Sequence, residues 1–411
     1  MPAKRNDLVV FGATSFVGQI LCRYLLEQFG VDGRPSWAMA GRSMDKLERV
    51  RSSLGRKASR LPLLVADASD EDSLRQLCAQ ARIVVSTVGP YALHGEPLVK
   101  VCAETGTDYC DLTGEVQWIR RMIRSYEPRA KKSGARIVHC CGFDSIPSDL
   151  GVHFLQQACR ERFGKPCTSV KMRVKSAQGG FSGGTVASLM NVLKEVSADP
   201  KLRKELANPY SLCPRTHAPG VRQPQVTLPE FDADFESWVA PFVMAAINTR
   251  IVHRSNALSK HAYGRNFRYD EAVMTGRGLK GRLAAAGLAA GIAGFMAAGS
   301  LAPLRAALGR LVLPEPGEGP SEEQQAKGSY DLRFFGRTAD GQTLRAKVTG
   351  DRDPGYGSTA KMLGQAAACL ALDTPRQDTP GGFWTPATIF GERLTDRLVQ
   401  HAGISFELLD P

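Results

Sequence analysis

A short stretch near the start of the chain, residues 12–18, has the residue types and spacing that bind phosphate groups, reading Gly-Ala-Thr-Ser-Phe-Val-Gly. An apolar run at residues 8–11 precedes it, and apolar residues recur after it at helical spacing as far as Phe29. In such a strand–turn–helix the glycines permit a sharp turn and a close approach of helix to sheet, and free N–H groups at the helix start bind a pyrophosphate. The stretch therefore predicts a dinucleotide site with these candidate residues: Gly12, Thr14, Ser15, Phe16, Val17 and Gly18.

The residues that follow the second apolar run decide which dinucleotide is expected. Residues 37–40 form that run, and Arg42 and Ser43 come after it. NAD enzymes place an Asp or Glu here to hold the ribose 2′-hydroxyl, whereas a guanidinium can clamp a 2′-phosphate. Because no acid is present and Arg42 is available, the sequence favours NADP(H) over NAD, and the alternative is a solvated arginine. Ser15 replaces the usual middle glycine of the motif, and a small hydroxyl residue still fits there.

Four more runs continue the alternation of strands and helices, at residues 61–67, 83–88, 108–111 and 137–140. Six short strands separated by helices predict an α/β fold with a doubly wound parallel sheet, the Rossmann fold. Its ligand lies beyond the carboxyl ends of the strands. Asp67 is then expected on the adenine side of the ligand, and the nicotinamide side receives Thr87, Gly89 and Pro90.

Hydride transfer from a nicotinamide also needs a proton donor close by, because the cofactor supplies only the hydride. The sequence offers four candidate catalytic residues: Tyr109, Asp144, Ser145 and Tyr356. No Tyr-x-x-x-Lys arrangement of the short-chain reductase type follows the strands, so the donor stays open among these four. Just after Asp144 and Ser145, either Ser148 or Asp149 is expected to cap a helix over residues 150–162.

The rest of the chain does not repeat the Rossmann pattern. Residues 179–185 contain paired glycines before a helix, and these form either a backbone nest for an oxyanion or carbonyl or a flexible connection. Residues 200–230 are rich in proline and predict a long excursion or lid. Residues 330–335 and 343–348 alternate apolar and polar side chains around Asp340-Gly341, which predicts a β-hairpin. We therefore expect a Rossmann domain over residues 1–147 and an α+β substrate or dimerisation domain over residues 148–352.

Within the second domain, residues 283–304 carry no charge and are rich in Ala and Gly. The length would span a bilayer, but Ala and Gly supply little hydrophobic free energy. Three interpretations stay open: a membrane-surface or hairpin insertion, a buried or dimer-interface helix, and a single membrane span.

Charge and cysteine content narrow the class of protein. The 411 residues carry a net charge of +12, which suits an anionic substrate, a phosphate-rich cofactor or an anionic membrane. The sequence has no concentrated run of Lys and Arg interleaved with aromatic residues, only dispersed pairs such as Lys131-Lys132, so we expect no nucleic-acid partner. The ten cysteines include no Cys-x-x-Cys pair, and this predicts buried free thiols and no metal site. With no apolar leader before the first strand, a cytoplasmic protein is expected, either free or peripheral on a membrane or lipid surface.

With these motifs placed, the sequence resembles the saccharopine dehydrogenase-like oxidoreductases, in particular the branch of trans-acting enoyl reductases. The resemblance rests on residues 12–18 together with Ala-Gly-Arg-Ser at 40–43, Tyr-Cys-Asp-Leu-Thr-Gly-Glu at 109–115, Cys-Gly-Phe-Asp-Ser-Ile-Pro-Ser-Asp-Leu-Gly at 141–151, Ser-Gly-Gly-Thr at 182–185 and Asp-Pro-Gly-Tyr-Gly-Ser-Thr at 353–359. It covers nearly the whole chain, and the later segments are more specific than the glycine loop.

The resemblance implies a reductase architecture in which C-terminal helices, at residues 353–411, pack back on the Rossmann domain. It also implies an NADPH-dependent reduction of an enoyl or carbonyl group in a lipid-like acyl or polyketide substrate, with an acyl-carrier or synthase partner. Two other functions stay open. One is a non-catalytic NADP-binding protein that sits on lipid surfaces through residues 283–304, and the other is an amino-acid dehydrogenase.

Overall fold

The computed structural model describes residues 6–179, 183–217, 221–301 and 319–410. In these residues the chain forms two seven-stranded sheets. The strands of the first sheet are β1 (Asn6–Phe11), β2 (Trp37–Gly41), β3 (Leu63–Val65), β4 (Ala81–Ser86), β5 (Asp108–Asp111), β6 (Arg136–Val138) and β13 (Gly382–Trp384). Their order is β13-β6-β5-β4-β1-β2-β3, and every pairing is parallel.

Helices cover both faces of this sheet, which is why its strands read as almost continuous apolar runs. Leu8 and Val10 of β1 pack into one buried cluster, whereas Val9 and Phe11 pack into another on the opposite face. The helices of the Rossmann domain are α1 (Phe16–Phe29), α2 (Met44–Ser53), α3 (Glu71–Gln80), α4 (Tyr91–His94), α5 (Glu96–Thr105) and α6 (Val116–Ser133). Helix α7 (Ile146–Phe163) follows β6 and packs against the second sheet. The predicted doubly wound parallel sheet is confirmed.

The seventh strand of this sheet is a difference from the six that the sequence predicts. Gly382, Phe383 and Trp384 form β13 and pair with β6. The strand has only three residues and follows the sixth strand by more than two hundred positions, so no local pattern marks it as part of this sheet.

The second sheet is mixed. Its strands are β7 (Ser169–Gln178), β8 (Glu230–Asp232), β9 (Ser237–Pro241), β10 (Arg268–Gly276), β11 (Ser329–Arg337), β12 (Thr343–Gly350) and β14 (Ile404–Leu409). Their order is β14-β12-β11-β7-β10-β9-β8, and only β7 and β10 run parallel. The β11–β12 hairpin is the predicted one, with the turn at Gly341 in the left-handed region at a φ of 88°.

The remaining helices are α8 (Gly183–Ala198), α9 (Pro200–Ala207), α10 (Ala245–Leu258), α11 (Gly278–Ser300), α12 (Glu322–Lys327), α13 (Gly357–Leu372), α14 (Pro386–Ile389) and α15 (Glu392–His401). Helix α13 packs on the Rossmann domain: Gln365 donates to the hydroxyl of Tyr24 on α1 over 2.7 Å. The C-terminal segment is not purely helical, however, because β13 completes the first sheet and β14 pairs with β12 of the second. The last residues therefore join both sheets.

One predicted helix cap is wrong. Helix α7 begins at Ile146, so Ser148 and Asp149 lie inside its first turn rather than before it. The carboxylate of Asp149 instead accepts hydrogen bonds from Ser255 Oγ over 2.6 Å and from the N–H of Ala387 over 2.8 Å. Asp149 thus ties α7 to α10 and α14.

The apolar segment at residues 283–304 forms most of α11, and its last three residues lie outside the described part of the chain. Only Gly281, Ala285 and Gly299 of this helix are buried, and Leu283 is 63% exposed. A helix buried within this chain is therefore excluded. By length and composition alone, α11 is the one helix in the described residues that could cross a membrane.

Candidate active site

The glycine loop between β1 and α1 needs glycine at both ends for steric reasons. Gly12 has a φ of 91°, and a Cβ there would lie 2.7 Å from both Thr87 Oγ1 and Val88 Cγ2. A Cβ on Gly18 would collide with the carbonyl oxygen of Gly12. Positions 12 and 18 therefore have no room for a side chain, as the predicted phosphate-binding turn requires.

Ser15, which replaces the middle glycine of the motif, caps α1. Its Oγ accepts the N–H of Gly18 over 3.0 Å and lies 3.0 Å from Thr87 Oγ1. Thr87 Oγ1 donates its own proton to the carbonyl of Gly12 over 2.9 Å, so the hydroxyl of Ser15 is the donor between the two. Ser15 and Thr87 thereby fix the loop against the end of β4.

The start of α1 keeps backbone donors free for an anion. Within the described residues, the N–H groups of Phe16 and Val17 have no hydrogen-bond acceptor, since only Gly18 is capped by Ser15. Thr14 lies beside them, with Oγ1 3.8 Å from the position of a Cβ on Gly41. Free amides at a helix N-terminus suit a pyrophosphate.

Arg42, Ser43 and Asp67 lie at the adjoining edge of the sheet. Arg42 is exposed and forms no ion pair with any residue that the structure describes. Hydrogen bonds from Ser69 lower the pKa of Asp67, and the nearby charge of Arg42 lowers it further. Ser43 Oγ accepts the N–H of Lys46 over 3.3 Å and so caps α2. Arg42 is thus the free cation that a 2′-phosphate would find here.

The loop after β4, which contains Gly89 and Pro90, is held by a carboxylate that sequence reasoning did not single out. Glu115 accepts the N–H groups of Tyr91 over 2.8 Å and Ala92 over 2.9 Å. Burial raises the pKa of Glu115, although these hydrogen bonds counteract part of that effect. Glu115 is the last residue of the segment at residues 109–115, one of the segments on which the resemblance rests.

A second buried pair fixes the loops after β5 and β6. Asp111 Oδ2 accepts the Nδ1–H of His139 over 2.7 Å, and Oδ1 accepts the amides of Thr113 and Cys140 over 3.2 Å each. Asp111 is fully buried and His139 is only 3% exposed. Asp111 therefore holds both loops, and Cys140 has a left-handed φ of 61° where its N–H donates to Asp111.

Of the four candidate donors, Asp144 has the environment of a general acid. Its carboxylate is half-buried, and Oδ2 lies 3.5 Å from the position of a Cβ on Gly114. Burial, together with the charge of Asp111, raises the pKa of Asp144 to about 7. No hydrogen-bond donor contacts this carboxylate among the described residues. A carboxyl group with such a pKa holds a proton near neutral pH and can release it.

The other three candidates are less suited to proton donation. Tyr109 is fully buried between the first sheet and its helices, with its ring against His139, so the structure does not place it in the crevice. Ser145 is fully buried and donates its hydroxyl proton to Asn248 Oδ1 over 3.1 Å. Tyr356 is 1% exposed and packs its ring edge-on against Phe16 at 5.2 Å.

The loop before α13 supports the turn that carries Asp144. Thr359 Oγ1 accepts the N–H of Phe143 over 3.0 Å and donates to the carbonyl of Pro354 over 2.8 Å. Asp353 accepts the N–H groups of Tyr356 and Gly357 over 3.2 and 2.7 Å. The segments at residues 109–115, 141–151 and 353–359 therefore converge at one edge of the first sheet. Of the paired-glycine segment, residues 180–182 lie outside the described part of the chain.

Helix α8, which follows the paired glycines, lies against the loop after β4, where the sequence predicts the nicotinamide side. Ser188 Oγ is 3.9 Å from the position of a Cβ on Gly89.

All ten cysteines are free, and nine of them are buried. In the described residues no group of three His, Cys, Asp or Glu side chains could hold a metal ion.

Known proteins resemble this chain along its whole length. Residues 8–138 match the family model described as the saccharopine dehydrogenase NADP binding domain. A trans-acting enoyl reductase from Mycobacterium bovis is 39% identical over 409 residues, which cover 97% of this chain and 96% of the relative. A relative from Mycobacterium tuberculosis, also described as a trans-acting enoyl reductase, is 42% identical over 409 residues, which cover 98% of this chain and 97% of the relative.

A solved structure agrees on the fold. Apo saccharopine dehydrogenase from Saccharomyces cerevisiae superposes with a TM-score of 0.55 at 14% identity, covering 98% of this chain and 100% of that one. At this identity the likeness shows the fold alone. The family match independently confirms the prediction of NADP(H), and the free amides of α1 and the unpaired Arg42 fit that cofactor.

Proposed function

The chain belongs to the trans-acting enoyl reductases of the saccharopine dehydrogenase-like oxidoreductases, and we propose that it reduces an enoyl or carbonyl group of a lipid-like acyl substrate with NADPH. The observation that carries this proposal is Asp144, a carboxyl group with a pKa of about 7 among the loops at the carboxyl end of the parallel sheet.

Bound NADPH supplies a hydride to one atom of the substrate double bond. The chain's own residues do the rest. The amides of Phe16 and Val17 bind the pyrophosphate, and Arg42 binds the 2′-phosphate. The carboxyl group of Asp144 donates its proton to the other atom of the double bond, which balances the added hydride. Asp111 and Glu115 hold the surrounding loops in place for this transfer.

The position of α11 supports a lipid-like substrate. Its C-terminal end packs on α8: a Cβ on Gly299 would collide with Leu193, and the carbonyl oxygen of Ser300 lies 3.4 Å from Ser197 Oγ, which donates its proton to the carbonyl of Leu193 over 2.7 Å. Helix α8 therefore contacts both the apolar helix α11, through Leu193, and the loop of Gly89 on the nicotinamide side, through Ser188. An acyl chain bound along α11 then has a short path past α8 to the crevice.

We also propose that α11 holds the protein peripherally on a membrane or lipid surface from the cytoplasmic side. Leu279 and Leu283 are 70% and 63% exposed, and the cations Arg277, Lys280 and Arg282 flank them. Exposed apolar side chains next to cations suit an anionic lipid surface. Flotation with vesicles tests this contact, whereas a homodimer joined through α11 would instead double the sedimenting mass without lipid.

The central experiment measures NADPH oxidation with crotonyl-pantetheine, in the purified protein and in the variant Asp144→Asn. Loss of the proton donor is expected to lower kcat by about 10²–10⁴-fold. The Kd for NADPH and the melting temperature should stay unchanged, and both serve as controls for folding.

Three outcomes would contradict the proposal. In the first, keto-acid and amino-acid pairs turn over while no enoyl or carbonyl thioester does, which would identify an amino-acid dehydrogenase. In the second, NADPH binds tightly and nothing turns over, which would identify a non-catalytic binding protein. In the third, Asp144→Asn keeps full activity, and the proton then comes from another group.

A further inference from the structure

A strongly cationic surface lies beside the site on α6, the end of α8, α9 and the loop that follows α9. Residues 116–125 and 194–217 contain eight basic residues but only three acidic ones, Glu195, Asp199 and Glu205. The eight form what we call the cationic surface: Arg120, Arg121, Arg124, Lys194, Lys201, Arg203, Lys204 and Arg215.

The three acids of these segments neutralise little of this charge. Glu195 accepts hydrogen bonds from Asn191 over 2.8 Å and from Gln117 over 3.4 Å, and Asp199 caps α9. Only Glu205 pairs with cations of the surface, 2.6 Å from Arg120 and 3.8 Å from Arg124. From outside these segments, Glu96 pairs with Arg121 over 3.3 Å.

Arg120 and Arg124 are crowded together, because both lie beside the carboxylate of Glu205. Burial lowers the pKa of Arg120, and the neighbouring charges of Arg124 and Arg215 lower it further despite the pairing with Glu205. Like charges gathered in this way repel one another, and an anionic partner would relieve that repulsion. The crowding therefore indicates a surface that binds something negatively charged.

The cationic surface begins at the nicotinamide side of the crevice. Helix α6 starts at Val116, directly after Glu115, which holds the loop that follows β4. With a rise of about 1.5 Å per residue, Arg120 and Arg124 lie roughly 6 and 12 Å along the helix from that point. Gln117, one position after Val116, joins α6 to α8 through Glu195.

The side chains of this surface favour a soluble protein over a membrane. None of the exposed large apolar residues of the described chain falls in residues 116–125 or 194–217. A surface that enters a lipid bilayer carries apolar anchors among its cations, as α11 does and this surface does not. Five of the eight cations are arginines, whose planar guanidinium groups pair with carboxylates in two parallel hydrogen bonds.

We propose that the cationic surface docks an acidic acyl-carrier domain, which presents the acyl thioester to the crevice beside α8. This inference rests on the proposed function, since the carrier delivers the substrate of that reduction. The carrier's carboxylates meet the arginines of α6 and the cations of α9, and the thioester arm reaches past α8 towards Asp144.

The test compares one acyl group on two carriers. Crotonyl thioester is supplied either on a purified acidic acyl-carrier domain of a polyketide synthase or on free pantetheine. The variant Arg124→Glu/Lys204→Glu reverses two exposed charges, and Lys165→Glu/Arg393→Glu is the matched control. In the control both cations are also exposed, and each pairs with a carboxylate as Arg124 does.

For the surface variant, kcat/KM with the carrier-bound substrate is expected to fall about tenfold or more at low salt, whereas kcat/KM with free crotonyl-pantetheine stays unchanged. The control variant should keep both values. Equal values for wild type and surface variant with the carrier-bound substrate would overturn the proposal. So would an equal loss with free crotonyl-pantetheine.

Direct binding separates this inference from the proposed function. Fluorescence anisotropy of the labelled carrier domain measures docking even if no thioester is reduced. Docking that weakens in the surface variant supports the cationic surface without any turnover. If instead anionic phosphatidylglycerol vesicles lose binding in that variant and the carrier never binds, the surface faces a membrane and the proposal is wrong.

Discussion

Replacing Arg42 with alanine tests the cofactor site most directly, because Arg42 is exposed and has no ion-pair partner in the described residues. Its removal therefore breaks no ion pair and loses only the solvent-exposed attraction to Asp67, so the free energy of unfolding should change by less than about 0.5 kcal/mol. Any loss of NADPH binding then reports on the contact with the cofactor alone.

The expected loss follows from the charges. Two unit charges about 4 Å apart interact with roughly 1 kcal/mol in water, and a phosphate carries about −1.5 to −2 charges at neutral pH. With the added hydrogen bonds of a charge-assisted pair, we expect the Arg42→Ala variant to bind NADPH about 1–3 kcal/mol more weakly, or roughly 5- to 150-fold. The loss should shrink as the salt concentration rises, since the site is open to solvent.

The measurement is the Kd for NADPH and for NADH by nucleotide fluorescence, in wild type and in Arg42→Ala. NADH lacks the 2′-phosphate, so its Kd should stay within about twofold. Arg265→Ala is the control, since Arg265 is also exposed and forms no ion pair in the described residues but lies in the second domain. Equal losses for both nucleotides, or none for either, would refute the role in 2′-phosphate binding.

Three further predictions concern the loops and the proton donor. Gly12→Ala should abolish nucleotide binding and lower the free energy of unfolding by about 1–3 kcal/mol in urea titrations, since its φ of 91° and the contact with Thr87 oppose a Cβ. Asp111→Ala should lower the free energy of unfolding by about 1–3 kcal/mol in the same assay, because the buried donors of His139, Thr113 and Cys140 lose their acceptor; an unchanged midpoint would contradict the anchoring role. With Asp144 as acid, activity needs the protonated form, so kcat should fall as pH rises through about 7. A kcat that rises over this range would show that the ionised form is the active one.

Local sterics explain why much of the fold could be predicted from the sequence. The turn after β1 requires glycine at positions 12 and 18, so the motif can be recognised from the local sequence alone. The β11–β12 hairpin is likewise set by alternating side chains around Gly341. The identity of the cofactor followed from one local feature, an arginine in place of an acid after β2.

The proton donor could not be chosen from the sequence, because burial decides it. Tyr109 and Asp144 both follow the strand pattern, yet Tyr109 is fully buried in the core and Asp144 is only partly buried, beside Gly114. Asp111 and His139 are 28 positions apart, and only the pairing of β5 with β6 brings them within 2.7 Å. Contacts of this kind depend on the packing of the whole sheet.

The sequence by itself determined the phosphate-binding turn, the preference for NADP(H) and the alternation that builds the parallel sheet, because each depends on residues close together in the chain. The tertiary structure alone decided that Asp144 has the raised pKa, that Glu115 and Asp111 hold the loops, and that α11 is exposed. The physical reason is that burial and charge proximity arise only when distant segments pack together.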